Sequence, residues 1–317
     1  MSFKKKKKRK KLKILFLFLL IETFIVIWDR SMLSMEEVYQ PVGTMISIDG
    51  AQIHTFINGE EEETVLFISG SGTPCAYTDF YGLQVGLSEI ATTISFDRPG
   101  FGWSEKTKSK RTISNQVSEL HQLLTELKVK GPVTIVAHSL GSLEAIAYAQ
   151  EHNDQVKRMV FLDCGSPEFY AKDSKMKANI INRATALLRV SGWNRLISGL
   201  VKLPFYGENL RYEGLPEELR GLDLAMYYKQ VGNPNSLANI ELMNENAASL
   251  VENKEKLSIP FLILSSDSDQ EWTKEQQQLC DWSYDAEQII LKDSSHYIHW
   301  SNKEEVITLI KDFMNTK

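Results

Sequence analysis

The sequence predicts an α/β fold with a mostly parallel sheet, helices on both faces and an inserted helical segment. Apolar, β-branched runs alternate with amphipathic helical segments, the order typical of parallel sheets. One of these runs passes into a helix through a turn of only five residues, 137–141. A long, mostly helical stretch then precedes the last two strands. With 317 residues, the chain is long enough for one large core and an insertion.

The N-terminus is strongly basic. Residues 1–13 contain nine lysines and arginines and no acidic residue, although the net charge of the whole chain is −5. The remainder is therefore acidic, which argues against a nucleic-acid partner because phosphates require a basic face. We expect residues 1–13 to form a cytoplasmic tail, since basic flanks stay on the inner side of a membrane.

The basic run is followed by an apolar segment at residues 14–28, interrupted only by Glu22 and Thr23. A helix over residues 12–28 is about 25 Å long, and Lys13 and Arg30 extend its reach by snorkelling. The segment predicts an uncleaved transmembrane signal anchor. This places the protein at the cell membrane as a single-pass protein, with residues 29–43 as a tether and the catalytic domain on the extracytoplasmic side. A cleaved signal peptide and a buried core helix are the alternatives.

The folded body is expected to begin near residue 44. Segments 45–48 and 52–57 flank Asp49-Gly50, a hairpin turn signal. A buried strand at 65–68 leads into the glycine-rich loop 69–74, and another strand follows at 92–96. Residues 112–128 then show the apolar spacing of an amphipathic helix.

The most informative stretch is residues 132–150, PVTIVAHSLGSLEAIAYAQ. Its first part is an apolar, β-branched strand, and its last part is rich in good helix formers. A sharp strand-to-helix turn requires small residues two before and two after its apex, and these are Ala137 and Gly141. Ser139 is then held out at the apex, near the N-terminus of the helix. This arrangement is a nucleophile elbow, with alanine in place of the usual first glycine.

Residues 159–162, 261–264 and 288–291 predict the remaining strands. The segment 166–253 between them is expected to form a helical cap, so that residues 44–165 and 254–317 make up the core. The last helix is expected to open with a capping box at residues 301–304 and to bury its apolar face. The three cysteines are too scattered for a disulfide framework or a metal site, and neither metal nor cofactor is expected.

Three separated signals resemble the α/β-hydrolase superfamily. They are AHSLG at the elbow, FDRPGFGWS at residues 96–104, and SSHYIHW at residues 294–300, between the last strand and the last helix. The resemblance runs from about residue 44 to the end and implies an α/β-hydrolase fold with a cap over the active site. The sequence departs from the family at the oxyanion loop, where Ser69-Gly70 replaces the usual His-Gly, and at Ser266, where glycine is usual.

A catalytic triad follows from the chemistry and the chain order. A serine hydroxyl needs a histidine base, which in turn needs a carboxylate to orient it, and the order in this fold is serine, acid, histidine. His296 lies on a small polar loop after the last strand, whereas the other five histidines lie elsewhere. The acid should follow the strand at 261–264, where Asp267 and Asp269 both qualify. Counted from the proline that opens this strand, the resemblance places the family's acid at Asp269. Asp267 and Asp163 remain alternatives.

The oxyanion hole needs two fixed N–H donors. We expect one from Leu140, directly after the nucleophile, and the other from Ser71 in the glycine-rich loop. Glu144 lies one turn into the elbow helix, where a carboxylate is favoured by the helix dipole; a substrate contact is the less favoured role.

The predicted function is that of a membrane-anchored serine hydrolase that cleaves an apolar acyl ester through an acyl-enzyme, without a cofactor. A prolyl-type aminopeptidase is the rival enzyme, and it would also cleave amides. It would use cap carboxylates to bind the substrate ammonium, and four acidic residues are candidates: Glu213, Glu217, Glu218 and Asp223. A non-catalytic binding module on the same scaffold is the other alternative. Epoxide hydrolases and dehalogenases of this fold attack with aspartate, so Ser139 argues against them.

Overall fold

The computed structural model describes residues 3–198 and 210–316, with side chains from Lys7 onward. Its sheet has eight strands in the order β1-β2-β4-β3-β5-β6-β7-β8. β1 and β2 form an antiparallel hairpin, β2 pairs antiparallel with β4, and all other pairs are parallel. The strands are β1 (Thr44–Ile48), β2 (Ala51–Asn58), β3 (Thr64–Ile68), β4 (Thr92–Phe96), β5 (Val133–His138), β6 (Val156–Leu162), β7 (Phe261–Ser266) and β8 (Ala286–Leu291).

Fifteen α-helices lie within the described ranges. They are α1 (Phe3–Glu36), α2 (Ala76–Asp79), α3 (Tyr81–Leu87), α4 (Ile113–Glu126), α5 (Gly141–Glu151), α6 (Pro167–Lys172), α7 (Lys175–Val190), α8 (Trp193–Ile197), α9 (Leu210–Gly214), α10 (Glu217–Gln230), α11 (Pro234–Glu241), α12 (Met243–Glu252), α13 (Gln270–Gln277), α14 (Ile298–Ser301) and α15 (Lys303–Asn315). Helices α6 to α12 make up the described part of the predicted cap, and residues 199–209 of that segment lie outside the described residues.

Two apolar layers cover the sheet. On one face, side chains of α4, α5 and α12 pack against inward-facing residues of the strands. On the other face, α3 and α15 do the same. The strands between these layers are apolar on both faces, and β3 and β5 are buried along their whole length. The predicted α/β class, the mostly parallel sheet and the hairpin at Asp49-Gly50 are therefore confirmed.

The last helix begins differently from the prediction. Helix α15 starts at Lys303, and its N-cap residue Asn302 makes no side-chain capping bond. The Ser301 hydroxyl donates to the Asn302 side-chain oxygen instead and accepts from the Ser295 N–H. The predicted capping box is therefore wrong, because Ser301 ties the helix start to the preceding loop. Val306 and Ile310 are buried as expected.

The N-terminal segment is one continuous helix, α1, which includes most of the expected tail and half of the expected tether. Its acidic residues contact the cap: Glu22 accepts from the Trp193 indole at 2.8 Å, and Arg195 pairs with Asp29 at 3.3 Å and with Glu36 at 2.6 Å. Among the described residues, no helix combines the length and the apolar character needed to cross a membrane. The predicted transmembrane helix at 14–28 is thus not found in the structure, and the expected membrane partner has no support there.

The cap is joined to the core by a buried ion cluster. The Arg211 guanidinium of α9 pairs with Asp79 of the core at 2.8 Å and with Asp223 of α10, and all three side chains have no exposed surface. The Thr78 hydroxyl also donates to Asp223, at 2.5 Å. Arg211 therefore links two elements of the cap to the core segment that follows β3.

Candidate active site

The elbow places Ser139 in a strained backbone conformation. Its φ is +52°, in the left-handed region that residues other than glycine rarely occupy. A side chain at Gly141 would lie 2.9 Å from the carbonyl oxygens of Ile68 and Ser69, and Ala137 has no exposed surface. Both small positions are required because α5 starts directly against the end of β3. The predicted elbow geometry is confirmed, and strain of this kind is typical of functional sites.

His296 lies within hydrogen-bond distance of Ser139. Its Nε2 is 3.0 Å from the Ser139 Oγ. The loop that carries His296 is held by neighbouring groups: the His138 Nε2 donates to the His296 carbonyl at 3.1 Å, and the Ser295 N–H donates to the Ser301 hydroxyl. The expected pairing of serine and histidine is therefore present in the structure.

Asp163, at the end of β6, occupies the position of the orienting acid. Its Oδ2 lies 2.7 Å from the His296 Nδ1 and 2.8 Å from the Trp272 indole nitrogen. Its Oδ1 accepts from the Ser266 N–H and the Gln276 amide, both at 2.7 Å. Burial raises the pKa of this carboxyl, but the hydrogen bond from His296, the charge on that ring and the other donors outweigh burial and lower the pKa. Asp163 is therefore held in its charged form.

Asp269 is not in contact with His296, and the expectation that it orients the base is corrected. The side chain of Asp269 is the N-cap of α13, where its Oδ1 accepts from the N–H groups of Glu271 and Trp272 at 2.8 and 3.0 Å. Asp267 instead accepts from the N–H groups of Asp293 and Ser294, which braces the loop leading to His296. The distance from the strand proline predicts Asp269 as the acid, but in the structure this position is the N-cap of α13.

Gly70 places the expected oxyanion loop against the elbow. A side chain at Gly70 would lie 2.8 Å from the His138 Nδ1 and 3.0 Å from the Ser139 Cβ, so only glycine fits this approach. Ser71 and Leu140, the two expected donors of the oxyanion hole, line the same small cavity of about 30 Å³. The structure thus brings these two residues together at one cavity, which Leu140 joins to the elbow.

A buried ion pair forms one wall of this cavity. Arg98, from the FDRPGFGWS turn, donates to Glu144 at 2.6 and 3.0 Å. Its third nitrogen lies 3.5 Å from the carbonyl oxygen of Gly70. The charge of Glu144 is therefore balanced by Arg98 rather than by the helix dipole alone. The remaining lining is mixed, with polar and apolar residues from the core and cap: Gly72, Phe101, Ile113, Gln116, Leu143, Ser236, Asn239, Met243 and Asn246.

The FDRPGFGWS turn is organised by Asp97. Its carboxylate accepts from the Ala76 N–H at 2.6 Å and contacts the His54 Nδ1 at 2.7 Å. Gly102, at φ +48°, lies so close that a side chain there would overlap this carboxylate. This sequence signal therefore encodes a rigid turn, and it positions Arg98 and Phe101 beside the cavity.

Asp79, His138 and His299 form a buried group with donor atoms within 4.8 Å of one another, a set that could hold a metal ion. The Arg211 guanidinium lies 2.8 Å from Asp79 and already places a positive charge there. Burial and the neighbouring charges of His299 and His296 hold the pKa of His138 well below its usual range. His138 is therefore neutral, which agrees with its role as a donor to the His296 carbonyl.

The cap carboxylates do not converge on Ser139. Asp223 is fully buried in its pair with Arg211, while Glu213, Glu217 and Glu218 are exposed. Sequence reasoning also missed Trp272 and Gln276, which hold Asp163 from helix α13. The signal that could have found them is the apolar-polar spacing of α13, which turns these two residues toward the end of β6.

This fold, with a serine on an elbow and a histidine after the last strand, defines the class of α/β hydrolases. A family model for the alpha/beta hydrolase fold matches residues 63–303. The chain belongs to the α/β-hydrolase family, and the resemblance carried by the three sequence signals is confirmed.

Two curated relatives match most of this chain. A protein of Bacillus subtilis (strain 168), "Uncharacterized protein YbdG", is 26% identical over 253 residues, which cover 79% of this chain and 77% of that protein. A cis-3-alkyl-4-alkyloxetan-2-one decarboxylase from Shewanella oneidensis is 27% identical over 286 residues, covering 85% and 87%.

Among solved structures, the Cif epoxide hydrolase from Acinetobacter nosocomialis superposes with a TM-score of 0.72. It is 18% identical to this chain and covers 91% of this chain and 96% of its own. A likeness at this level of identity shows the fold alone. Which reaction of the family this chain carries out therefore depends on its own site residues.

Proposed function

We propose that this α/β hydrolase is a serine hydrolase that cleaves a carboxylic ester through an acyl-enzyme. The observation that carries the proposal is the continuous hydrogen-bond chain from Ser139 through His296 to Asp163, with distances of 3.0 and 2.7 Å. A nucleophile, a base and an orienting carboxylate in that order are the parts that acyl transfer requires.

In the first half-reaction, the Ser139 Oγ bonds to the ester carbonyl carbon as its proton passes to the His296 Nε2. The carbonyl oxygen becomes negative and is stabilised by the N–H groups of Leu140 and Ser71, each donor contributing roughly 3–4 kcal/mol in such sites. His296 then gives the proton to the alcohol oxygen as the carbon–oxygen bond breaks. Asp163 keeps the Nδ1 proton of His296 in place, so that Nε2 is free to act as the base.

In the second half-reaction, His296 takes a proton from water, whose oxygen attacks the acyl carbon. The proton returns to the Ser139 Oγ as its bond to the acyl group breaks, and the carboxylic acid leaves. Water is thus the only reactant besides the ester, and Ser139 and His296 return to their starting protonation states.

We place the acyl group of the substrate in the cavity lined by Leu140 and Ser71, and the size of this cavity favours a short acyl group. Its volume of about 30 Å³ is on the scale of one or two water molecules. Its walls also include the Arg98–Glu144 pair and several amides, so they are less apolar than the cap composition predicts. We therefore expect acetyl and propionyl esters to be better substrates than long-chain esters.

A cyclic ester is a natural extension of this substrate class. The Shewanella oneidensis relative is named for an oxetan-2-one, which is a four-membered cyclic ester. Attack by Ser139 on such a ring opens it to a hydroxyacyl-enzyme by the same steps. Small lactones therefore belong in the substrate panel beside open-chain esters.

The aminopeptidase alternative receives less support. It requires a free carboxylate facing the nucleophile to bind an ammonium group, and Asp223 is neutralised by Arg211. The three other candidate carboxylates are exposed on the cap. The non-catalytic alternative is also less favoured, because a binding module has no need for an aligned serine, histidine and aspartate.

The test is covalent labelling of the purified protein with a fluorophosphonate probe, followed by mass spectrometry of the modified peptide. Labelling at Ser139, lost in Ser139→Ala and strongly slowed in His296→Ala, would support the proposal. Equal labelling of a folded Ser139→Ala variant would overturn it. A substrate panel of short esters, small lactones and prolyl amides, with Ser139→Ala as the blank, then separates esterase from aminopeptidase.

The cellular location is a separate proposal that rests on the sequence. The basic residues 1–13, followed by the apolar segment 14–28 as the crossing segment, support a cytoplasmic N-terminus with the hydrolase core at the outer side of the cell membrane. Protease added to intact spheroplasts should then digest the core and spare an N-terminal tag. Full protection of the core in these cells would contradict the proposal.

A further inference from the structure

Arg98 is a buried arginine that lines the same cavity as Ser71 and Leu140, and the mechanism above does not use it. Its side chain is 8% exposed, and its Nε and Nη2 both donate to one oxygen of Glu144, at 3.0 and 2.6 Å. The remaining nitrogen, Nη1, donates to the carbonyl oxygen of Gly70 at 3.5 Å. Arg98 therefore connects the elbow helix α5 to the loop that follows β3.

The main chain of this loop has little local constraint on its orientation. Ser71 lies between Gly70 and Gly72, and glycine lets the neighbouring peptide planes turn at low cost. Gly70 is required because a side chain there would lie 3.0 Å from the Ser139 Cβ. Within the described ranges, the bond from Arg98 is the only hydrogen bond made by the main chain of residues 70–72. Arg98 is therefore the polar group that holds this stretch.

The bond to Gly70 also sets the direction of the next N–H group. The peptide between Gly70 and Ser71 is trans, so its carbonyl and its N–H point in opposite directions. With the carbonyl turned toward Arg98, the Ser71 N–H points away from the guanidinium. The reverse orientation would place this N–H against a guanidinium, which has donors and no acceptor. Arg98 therefore selects one of the two orientations of this peptide.

Two backbone N–H groups at the cavity are free to bind a substrate oxygen. Ser71 and Leu140 both line the cavity, and within residues 3–198 and 210–316 neither backbone N–H has a hydrogen-bond partner. An oxyanion hole requires donors of this kind beside the nucleophile. Glu144, which holds Arg98, lies on α5, the helix whose N-cap residue is Leu140. The Arg98–Glu144 pair therefore ties the loop of one donor to the helix of the other.

We propose that Arg98 is a positioning residue, which through the Gly70 carbonyl fixes the direction in which the Ser71 N–H meets the oxyanion. This inference rests on the proposed serine-hydrolase function. Glu144 holds the guanidinium in place and balances its charge, so the pair adds direction rather than net charge to the site. The effect is greatest in the transition state, where the carbonyl oxygen has become negative, and it therefore acts on kcat more than on KM.

The test is the double variant Arg98→Met/Glu144→Leu, which removes the bond to Gly70 without leaving a buried charge unpaired. Its turnover is compared with that of the wild type on phenyl acetate and on O-phenyl thioacetate, in which sulfur replaces the carbonyl oxygen. We expect kcat for phenyl acetate to fall by about 10²-fold, with KM changed by less than about threefold. The preference for the oxygen ester should fall by roughly tenfold or more, because sulfur accepts hydrogen bonds weakly and gains little from the donors of the wild type.

A purely structural role for Arg98 would lower kcat/KM for both esters by one factor and leave this preference unchanged. The matched control is Arg111→Met/Glu119→Leu, which removes a second, largely buried arginine–glutamate pair with its closest atoms 2.7 Å apart. The Arg111 guanidinium contacts Glu119 and Asn239 rather than the loop after β3. This control should therefore keep the wild-type preference, and an equal fall in both double variants would count against the inference.

The outcomes separate this inference from the proposed function. If Ser139→Ala abolishes turnover while Arg98→Met/Glu144→Leu keeps the wild-type preference, the Arg98 inference is wrong and the serine hydrolase stands. If Ser139→Ala retains full activity, the proposed function itself fails. Should the double variant fold poorly, Arg98→Lys keeps a positive charge for Glu144 but lacks the planar fork that reaches both Glu144 and Gly70. Its preference for the oxygen ester should also fall, and an unchanged preference would contradict the positioning role.

Discussion

The substitution Asp163→Asn is predicted to abolish most of the activity. The carboxylate accepts four hydrogen bonds, two on each oxygen: from Ser266 and Gln276 on one, and from His296 and Trp272 on the other. An asparagine has only one oxygen, so its amide nitrogen must face two N–H donors in either orientation. At least two of the four bonds are therefore lost.

The orientation of the new amide decides the effect on catalysis. If its oxygen keeps the Ser266 and Gln276 bonds, its nitrogen points at the His296 ring. The ring then satisfies that donor with an unprotonated Nδ1 and carries its proton on Nε2, where it can no longer accept the Ser139 proton. A wrong tautomer of this kind lowers kcat by about 10⁴-fold in a comparable triad. We expect a loss of 10³- to 10⁴-fold in kcat.

Stability is expected to fall as well, by about 1–3 kcal/mol for each buried donor left unpaired. The assay is therefore paired: kcat on an acetate ester, and urea unfolding of the same preparation. Below the unfolding transition, the kcat loss reports on the tautomer, because the folded population is then constant. The control is Asp269→Asn, since asparagine caps a helix as well as aspartate does and Asp269 is exposed.

The result that would refute this reasoning is specific. If Asp163→Asn keeps at least a tenth of the wild-type kcat while Asp269→Asn loses a thousandfold, Asp269 is the orienting acid after all. A loss confined to Asp267→Asn would point to the loop contacts at Asp293 and Ser294 instead.

Three other predictions follow from the described contacts. Arg211→Met removes the guanidinium that pairs with the buried carboxylates of Asp79 and Asp223, so the free energy of unfolding in urea should fall by about 3–5 kcal/mol. Lys175→Met, which breaks an exposed pair, should cost less than about 1 kcal/mol, and equal losses would contradict the argument. The pKa of Asp163 is lower in the folded state than its ordinary value of 3.8, so the folded state binds fewer protons than the unfolded state does. The stability that this carboxylate contributes is therefore lost as the pH falls below 3.8. The free energy of unfolding, measured against pH, should show this loss, and the loss should be shallower in Asp163→Asn. In a series of p-nitrophenyl esters, kcat/KM should drop steadily from acetyl to octanoyl, and a maximum at octanoyl would show that the cavity beside Ser71 does not hold the acyl group.

Much of the fold could be predicted from the sequence because its signals are local. Turn glycines, buried strands and the spacing of the elbow depend on residues close together in the chain. Ala137 and Gly141 bracket Ser139 because the backbone there has no room for larger side chains. The histidine could be predicted for the same reason, since its position after the last strand follows from the order of elements.

The role of the N-terminal segment could not be predicted in this way. Its composition is that of an anchor, with Glu22 as an unexplained charge. In the structure, Glu22 contacts Trp193, and the later acidic residues Asp29 and Glu36 contact Arg195, on a cap helix more than 150 positions away. No local pattern encodes such a contact. The polar residues of α1 are explained only when the cap is placed beside it.

The identity of the orienting acid is the part of the site that could not be predicted from the sequence. β6 and β7 are neighbours in the sheet, so their carboxyl ends lie side by side and either loop can place an aspartate near the histidine that follows β8. Sequence spacing does not distinguish the two loops, because both have aspartates at suitable positions. Helix α13 determines which aspartate contacts the histidine: Asp269 caps this helix, and Trp272 and Gln276 on the same helix donate to Asp163. The two aspartates are thus parts of one arrangement: Asp269 starts the helix that holds Asp163 in place, and Asp163 holds the histidine.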